Sequence, residues 1–296
     1  MNVIKYKYFF IGFSAVLTLA AIAIMLIFGF RQGIDFAGGA LWQLRLESEK
    51  ISAGHLQEWL IKRGIEASVR QGATAKDLMI RMPEVSEPEH QELAKSLKNE
   101  FGDFQELSFS SIGPAIGLEI RNRALTAFIL VLAGISLYVA FAFRKVSQPV
   151  SSWKYGFVTL ITLFHDALIP AGFFSLLGYW RGAELDTNFI VAILVVMGFS
   201  VHDTIVVFDR IRENLFLAKN KNDLTAIINA SIKQTFVRSI NTSLTLVLVL
   251  LALYFFGAEN LRYFTVTILL GTIIGTYSSI FVASPLLTFF HRGSKQ

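Results

Sequence analysis

The sequence has no cysteine in its 296 residues, which excludes a disulfide scaffold, thiolate metal sites and thiol catalysis. It is also short of charge: 17% of residues are Asp, Glu, Lys or Arg, where an ordinary soluble domain has about 25%. Hydrophobic residues make up 53% of the chain. Counting glycine and leaving out tyrosine, as the usual composition survey does, raises this to about 57%. The mean hydropathy is +0.54. Too little polar surface remains to cover that much apolar volume, so a soluble enzyme of this length is excluded.

Six runs are long and apolar enough to cross a bilayer, which takes about 20 helical residues. They cover 9–30, 124–143, 156–180, 188–208, 237–257 and 264–290. The first, FFIGFSAVLTLAAIAIMLIFGF, follows Lys5 and Lys7 as a signal peptide would. It is longer than a signal core and lacks a prompt cleavage site, so it is expected to stay as a span. Short-loop basic residues set the orientation. With the N-terminus inside, thirteen lie on the inner side, among them Lys5, Lys7, Arg144, Lys145, Lys219, Lys221, Lys233, Arg238, Arg292 and Lys295. Only Arg181 and Arg262 lie in the short outer loops. Both termini are therefore expected in the cytoplasm, with 31–123 outside and 291–296 as a cytoplasmic tail.

Residues 31–123 carry 12 basic and 14 acidic side chains, so the net +5 of the chain splits into −2 here and +7 elsewhere. The excess of positive charge is an orientation signal, and it gives no stripe for a nucleic acid. Within this segment ALWQLRL (40–46) alternates as a strand. SAGHLQEWLIKRG (52–64) reads as a helix with Ser52 as N-cap, Gly64 as stop, and Leu56, Leu60 and Ile61 (or Trp59) on one face. IEASVRQ (65–71) and DLMIRM (77–82) read as strands around a turn at 72–76. Ser86 and Pro88 open a second helix that Gly102 closes, and QELSFSSI (105–112) is the last strand. The expected fold class is a polytopic α-helical membrane protein of six transmembrane helices, with an α+β ferredoxin-like (βαββαβ) exported domain between spans one and two. His55 and His90 lie on polar stretches without ligand spacing and are expected at the surface. No catalytic or metal-binding constellation is found.

An ionised side chain inside a span costs about 2.5–3.5 kcal/mol on insertion scales and so marks a functional candidate. Span three carries His165 and Asp166, span four His202 and Asp203, and span five begins with Arg238. Asp203 lies about 9 Å along a helix from Asp209, and Arg238 enters from the same side, which makes the two candidate partners. Asp203 is read as a proton-binding carboxylate tuned by Arg238, with Asp166 and His202 as weaker members; a static ion pair is the alternative. GTIIGTYSSI (271–280) sets Gly271 and Gly275 at GxxxG spacing for helix packing, and Thr276, Tyr277, Ser278 and Ser279 offer hydroxyls to a hydrated path. LFLAKNKNDLTAIINASIKQTF (215–236) reads as an interfacial amphipathic helix. GIDFAGG (33–39) is expected to serve as hinge and packing element through Gly33, Asp35, Gly38 and Gly39.

GIDFAGG (33–39), SSIGPAIGLEIRNRAL (110–125) and HDALIPAGFFSLLG (165–178) resemble, in order, motifs of the SecD/SecF family of protein translocase subunits. So do ELDTNFIVAILVVMGFSVHDTIVVFDRIREN (184–214), TFVRSINTSLTLVLVLLALYFFGAENLRYF (235–264) and GTIIGTYSSIFVASP (271–285). One departure is His202, where the family usually has Asn before the span-four Asp. The resemblance implies one half of a SecD–SecF pair in the resistance-nodulation-division superfamily. It also implies association with the SecYEG channel, with YajC and YidC as further partners, and use of the proton gradient to draw unfolded preproteins outward across the bacterial inner membrane. On this resemblance the family's important Asp and Arg map onto Asp203 and Arg238. No cofactor, nucleic-acid partner or bond-making chemistry is expected, and membrane lipid is the remaining partner. A small-molecule exporter half of the same superfamily and a passive assembly factor are the rival readings.

Overall fold

The computed structural model describes residues 2–47, 52–72, 74, 76–144, 150–218 and 223–290. Lys145, Lys219, Lys221, Arg292 and Lys295, part of the turn at 72–76 and the tail 291–296 lie outside them. The chain divides into two compact units, one of Met1–Arg31, Thr126–Ala183 and Thr187–Gln296, the other of Gln32–Leu125 and Glu184–Asp186.

The second unit is α+β. Its elements are the single turn α2 (Ile34–Ala37), β1 (Gly39–Leu46), α3 (Ala53–Lys62), β2 (Ser68–Gln71), β3 (Asp77–Met82), α4 (Glu87–Phe101) and β4 (Phe104–Ile112). The strands form one antiparallel sheet in the order β2-β3-β1-β4. Each βαβ crossover thus receives a strand from the other between its two strands. The register passes from Gln43↔Ser108 to Leu44↔Glu106, leaving Leu107 as an extra residue in the edge strand β4.

Alternate residues of the strands build the core: Ala40, Trp42, Leu44 and Leu46 of β1, with Leu78, Ile80 and Met82 of β3. Leu56, Trp59 and Leu60 of α3 close over them, whereas Ile61 is 54% exposed, so the apolar face of this helix turns on Trp59. Ser52 accepts from the His55 N–H at 3.3 Å, and Ser86 and Glu89 form a capping box at the start of α4. The Ile65 N–H bonds to the Leu60 carbonyl across Gly64 at φ +79°, so the expected strand at 65–71 shortens to Ser68–Gln71.

His90 is not at the surface. It is 5% exposed, stacked on Phe109 with ring centroids 3.7 Å apart, edge-on to Trp42, and its Nε2 is 3.0 Å from Glu106. His55 is exposed.

In GIDFAGG the Gly33 N–H donates to the Leu185 carbonyl at 2.8 Å, α2 holds Asp35 in its first turn, and Gly38 and Gly39 turn the chain into β1 at φ +77° and +112°. A Cβ on Gly38 would lie 2.8 Å from Pro114. Gly38 and Gly39 are positions that only glycine fits, since a Cβ on Gly39 would likewise lie 2.8 Å from the Met82 carbonyl.

The first unit is helical. It holds α1 (Lys7–Phe28), the later part of α5 (Pro114–Ala142), α6 (Ser152–Arg181), α7 (Thr187–Leu217), α8 (Leu224–Phe256) and α9 (Arg262–Ser278). A π turn, Ser279–Ala283, continues α9. Six helices are long and apolar enough to cross a membrane, at Ile4–Phe28, Pro114–Ala142, Ser152–Arg181, Thr187–Leu217, Leu224–Phe256 and Glu259–Phe290. Their helical lengths exceed the apolar runs because less apolar turns continue the backbone pattern: Asp223 caps α8, its carboxylate accepting from the Ala226 N–H at 2.9 Å. Of the expected interfacial helix at 215–236, residues 219–222 lie outside the described residues, and no Gly or Pro interrupts 224–256, so 224–236 runs on as one helix into the span. The two ends of that expected helix belong to α7 and α8.

α6, α7 and α9 are the inner helices, and α1, α5 and α8 expose most of their length. Close approach comes from small residues. Gly172 of α6 lies against Ala21 of α1, and Gly271 and Gly275 of α9 lie against Val196 and Ser200 of α7.

Candidate functional site

The three inner helices bring two carboxylates into the interior of the helical unit. Asp166 of α6 is fully buried, and Asp203 of α7 is 4% exposed. Asp166 Oδ1 lies 2.7 Å from His165 Nδ1, and its Oδ2 accepts from the hydroxyls of Ser200 on α7 and, at 2.7 Å, Ser278 on α9. Asp203 Oδ2 accepts from Ser279 at 2.7 Å. The donors replace water around groups that would otherwise be costly to bury. Local geometry explains their convergence. Ser200 stands three residues before Asp203 on one face of α7, and Gly275 stands three before Ser278 on α9, so the glycine contact with Ser200 sets the approach that lets both serines reach Asp166.

The polar lining extends beyond the carboxylates. Ser243 of α8 meets Thr276 of α9 at 2.5 Å. His165 Nε2, Thr204 Oγ1, Thr272 Oγ1 and Ser239 Oγ are buried with no hydrogen-bond partner among the described residues. Tyr277 turns outward to α1, donating to the Phe10 carbonyl at 3.2 Å.

Arg238 and His202 are not in this group; both are exposed. The expected pairing of Arg238 with Asp203 is not formed, and Arg238 makes no ion pair among the described residues. The physical reason is helix phase. Arg238 shares an exposed stripe of α8 with Gln234, Asn241, Thr242 and Thr245, while Thr235, Ser239 and Ser243 take the buried side. Below Asp203, the charge cluster at 209–214 forms local pairs, Arg210 with Glu213 and Arg212 with Asp209. Arg210 and Asn214 also donate to Gln234, at 2.6 and 2.9 Å, and Asn214 to Ser231 at 2.8 Å, tying the end of α7 to the start of α8.

Asp166 and Asp203 stand out in sequence because each interrupts an apolar run. His165 came with Asp166, but Ser200 was missed. Its spacing from Asp203 was the available signal.

Six apolar helices, an inserted α+β unit and carboxylates buried between helices define a polytopic membrane protein with an ionisable core. The model of protein export membrane protein SecD/SecF, C-terminal, matches residues 92–293, and that of the SecD/SecF GG motif matches 23–49. The protein translocase subunit SecF of Thermobaculum terrenum is 43% identical over 298 residues, covering 97% of this chain and 93% of that one. SecF of Anaerolinea thermophila is 34% identical, over 99% of this chain and 95% of its own. The crystal structure of SecDF from Thermus thermophilus, a translocon-associated membrane protein, superposes with a TM-score of 0.82 at 34% identity. That match covers 98% of this chain and 38% of the longer SecDF chain. The chain belongs to the SecD/SecF family of protein-export membrane proteins.

Proposed function

We propose that this chain is an auxiliary subunit of the Sec protein translocase that, with a SecD-like partner, uses the proton motive force to promote late-stage export of preproteins across the bacterial inner membrane. One observation carries the reading: two carboxylates, Asp166 and Asp203, are buried among three membrane helices of a protein-export family member, each held by hydroxyl donors. Such groups take up and release protons as access alternates, and a charge crossing the membrane is worth about 2.3 kcal/mol per 100 mV. The unpartnered buried atoms around them supply hydrogen-bonding sites for a hydrated path.

The SecDF relative, matched over only 38% of its length, supports a SecD-like partner. The exposed polar stripe of α8 supports it too, because Arg238, Asn241, Thr242 and Thr245 would otherwise meet lipid. In this reading Arg238 acts across the subunit interface. Both termini are cytoplasmic, 31–123 are periplasmic, and the GIDFAGG joint passes movement to the α+β unit. The SecYEG channel, YajC, YidC and the unfolded preprotein are the further partners.

Asp203→Asn is expected to abolish stimulation of preprotein export by the proton gradient in membrane vesicles while copurification with the SecD-like subunit persists. Full stimulation by that variant would sink the coupling and leave a passive assembly role.

A further inference from the structure

Ser278 and Ser279 are consecutive residues that serve different carboxylates. The Ser278 hydroxyl is 2.7 Å from Asp166 Oδ2 and 3.0 Å from the Gly275 carbonyl. The Ser279 hydroxyl is 2.7 Å from Asp203 Oδ2 and 2.9 Å from the Thr276 carbonyl. A hydroxyl has one hydrogen to donate and two lone pairs to accept with, so each serine stands before two acceptors with a single proton. An ionised carboxylate takes that hydrogen. A carboxyl protonated on that oxygen donates instead, and the serine oxygen receives the proton's hydrogen bond, whereupon the serine hydrogen turns to the carbonyl one turn back. Both states leave every O–H partnered, and the exchange needs only the rotation of two hydroxyls.

The two serines sit where α9 gives way to the π turn Ser279–Ala283, whose Ser279 carbonyl accepts from the Ser284 hydroxyl at 2.9 Å. π turns interrupt the regular ladder and gather at functional sites. The other groups at the carboxylates are His165 from α6 and Ser200 from α7. Other ionisable groups on these helices are engaged elsewhere or exposed: Tyr277 turns to α1, Tyr155 of α6 is buried in a stack on Phe143, Lys154 donates to the Phe290 carbonyl, Asp209, Arg210, Arg212 and Glu213 pair with one another, and Arg238 of α8 and His202 of α7 are exposed.

We propose that Ser278 and Ser279 are positioning residues that link the protonation of Asp166 to that of Asp203 through the junction of α9 with its π turn. The inference rests on the proton-coupling reading above and adds the route by which the two sites sense each other. The full chain in lipid bilayers, titrated by infrared difference spectroscopy of the carboxylic C=O band, tests it. Asp203→Asn is expected to move the Asp166 midpoint by about one pH unit, the scale of coupled sites. In a Ser278→Ala, Ser279→Ala background that shift is expected to fall below about half, and Ser279→Thr alone, which keeps the hydroxyl, to preserve it. Ser200→Ala, which removes a donor to Asp166 alone, moves the Asp166 midpoint and leaves the coupling intact. An undiminished shift in the double serine variant overturns this inference alone, because the carboxylates then interact through space. Absence of any carboxyl titration across the physiological pH range overturns the proton-coupling reading with it.

Discussion

The two units solve opposite problems with the same residues. The α+β unit hides Trp42, Leu44, Leu56 and Ile80 and turns most of its charges outward, Asp77 excepted. The helical unit buries Asp166, Asp203, Ser200, Ser278 and Ser279, and leaves Leu130, Leu248 and Phe256 exposed. In water the apolar interior is the driving force. Among lipid tails, burying leucine gains little, and small residues and hydrogen bonds hold helices together. A side chain's worth therefore depends on which unit it occupies, and mutations in pairs can test this.

Asp166→Ala should have the largest effect. It strands His165 Nδ1 and the Ser200 hydroxyl and leaves Ser278 only the Gly275 carbonyl, with an expected cost of about 3–5 kcal/mol, the scale of breaking a buried charged pair. Unfolding of the full chain in detergent measures it, and a loss below about 1 kcal/mol would mean the polar interior is not structural. The same substitution made in both units is the sharpest contrast. Leu44→Ala in β1 is expected to cost about 2–5 kcal/mol by leaving a cavity, while Leu248→Ala, 58% exposed on α8, is expected to stay within about 0.5 kcal/mol. Equal losses would break the comparison. Ser86→Ala removes the capping box of α4 and should cost about 1 kcal/mol, read as earlier proteolysis of the α+β unit.

The smallest effect is a pH dependence. Arg45 donates to both oxygens of Asp77, at 2.6 and 3.2 Å, and that hydrogen bonding holds the Asp77 carboxyl below the usual carboxylate range. A lowered folded-state value stabilises above the unfolded value of about 3.9 and is lost as pH falls through the folded one. Arg45→Met should therefore lie below the wild type in stability at neutral pH and converge with it in acid. A constant difference at every pH would remove the linkage.

Legibility in sequence also divides along this line. Alternation and capping residues located β1, β3, α3 and α4 to within a residue or two, because each rule concerns neighbours along the chain. His90 was misread because its pocket is made by Trp42 and Phe109, residues of strands distant in sequence. Hydropathy located the six helices in the membrane but not their ends, since Pro114–Arg123 and Leu224–Phe236 are helical without being wholly apolar. Asp166 and Asp203 were conspicuous as acids in apolar runs. Ser278 and Ser279 stood out as hydroxyls, but Ser200 did not, since a helical serine ordinarily bonds back to its own turn. The phase of α8, which turns Arg238 away from Asp203, depends on the packing of Ser243 against Thr276 and is invisible to a depth argument.

The extra residue in β4 has a consequence for the open edge of the sheet. β4 is a nine-residue strand at the margin of the sheet, without a proline or lysine to blunt it, and such a margin invites any extended polypeptide to add itself. Leu107 breaks the repeat of free amides and carbonyls partway along and coils the strand, so no straight segment of passing chain finds a continuous ladder to copy. The bulge guards the edge against stray strand pairing.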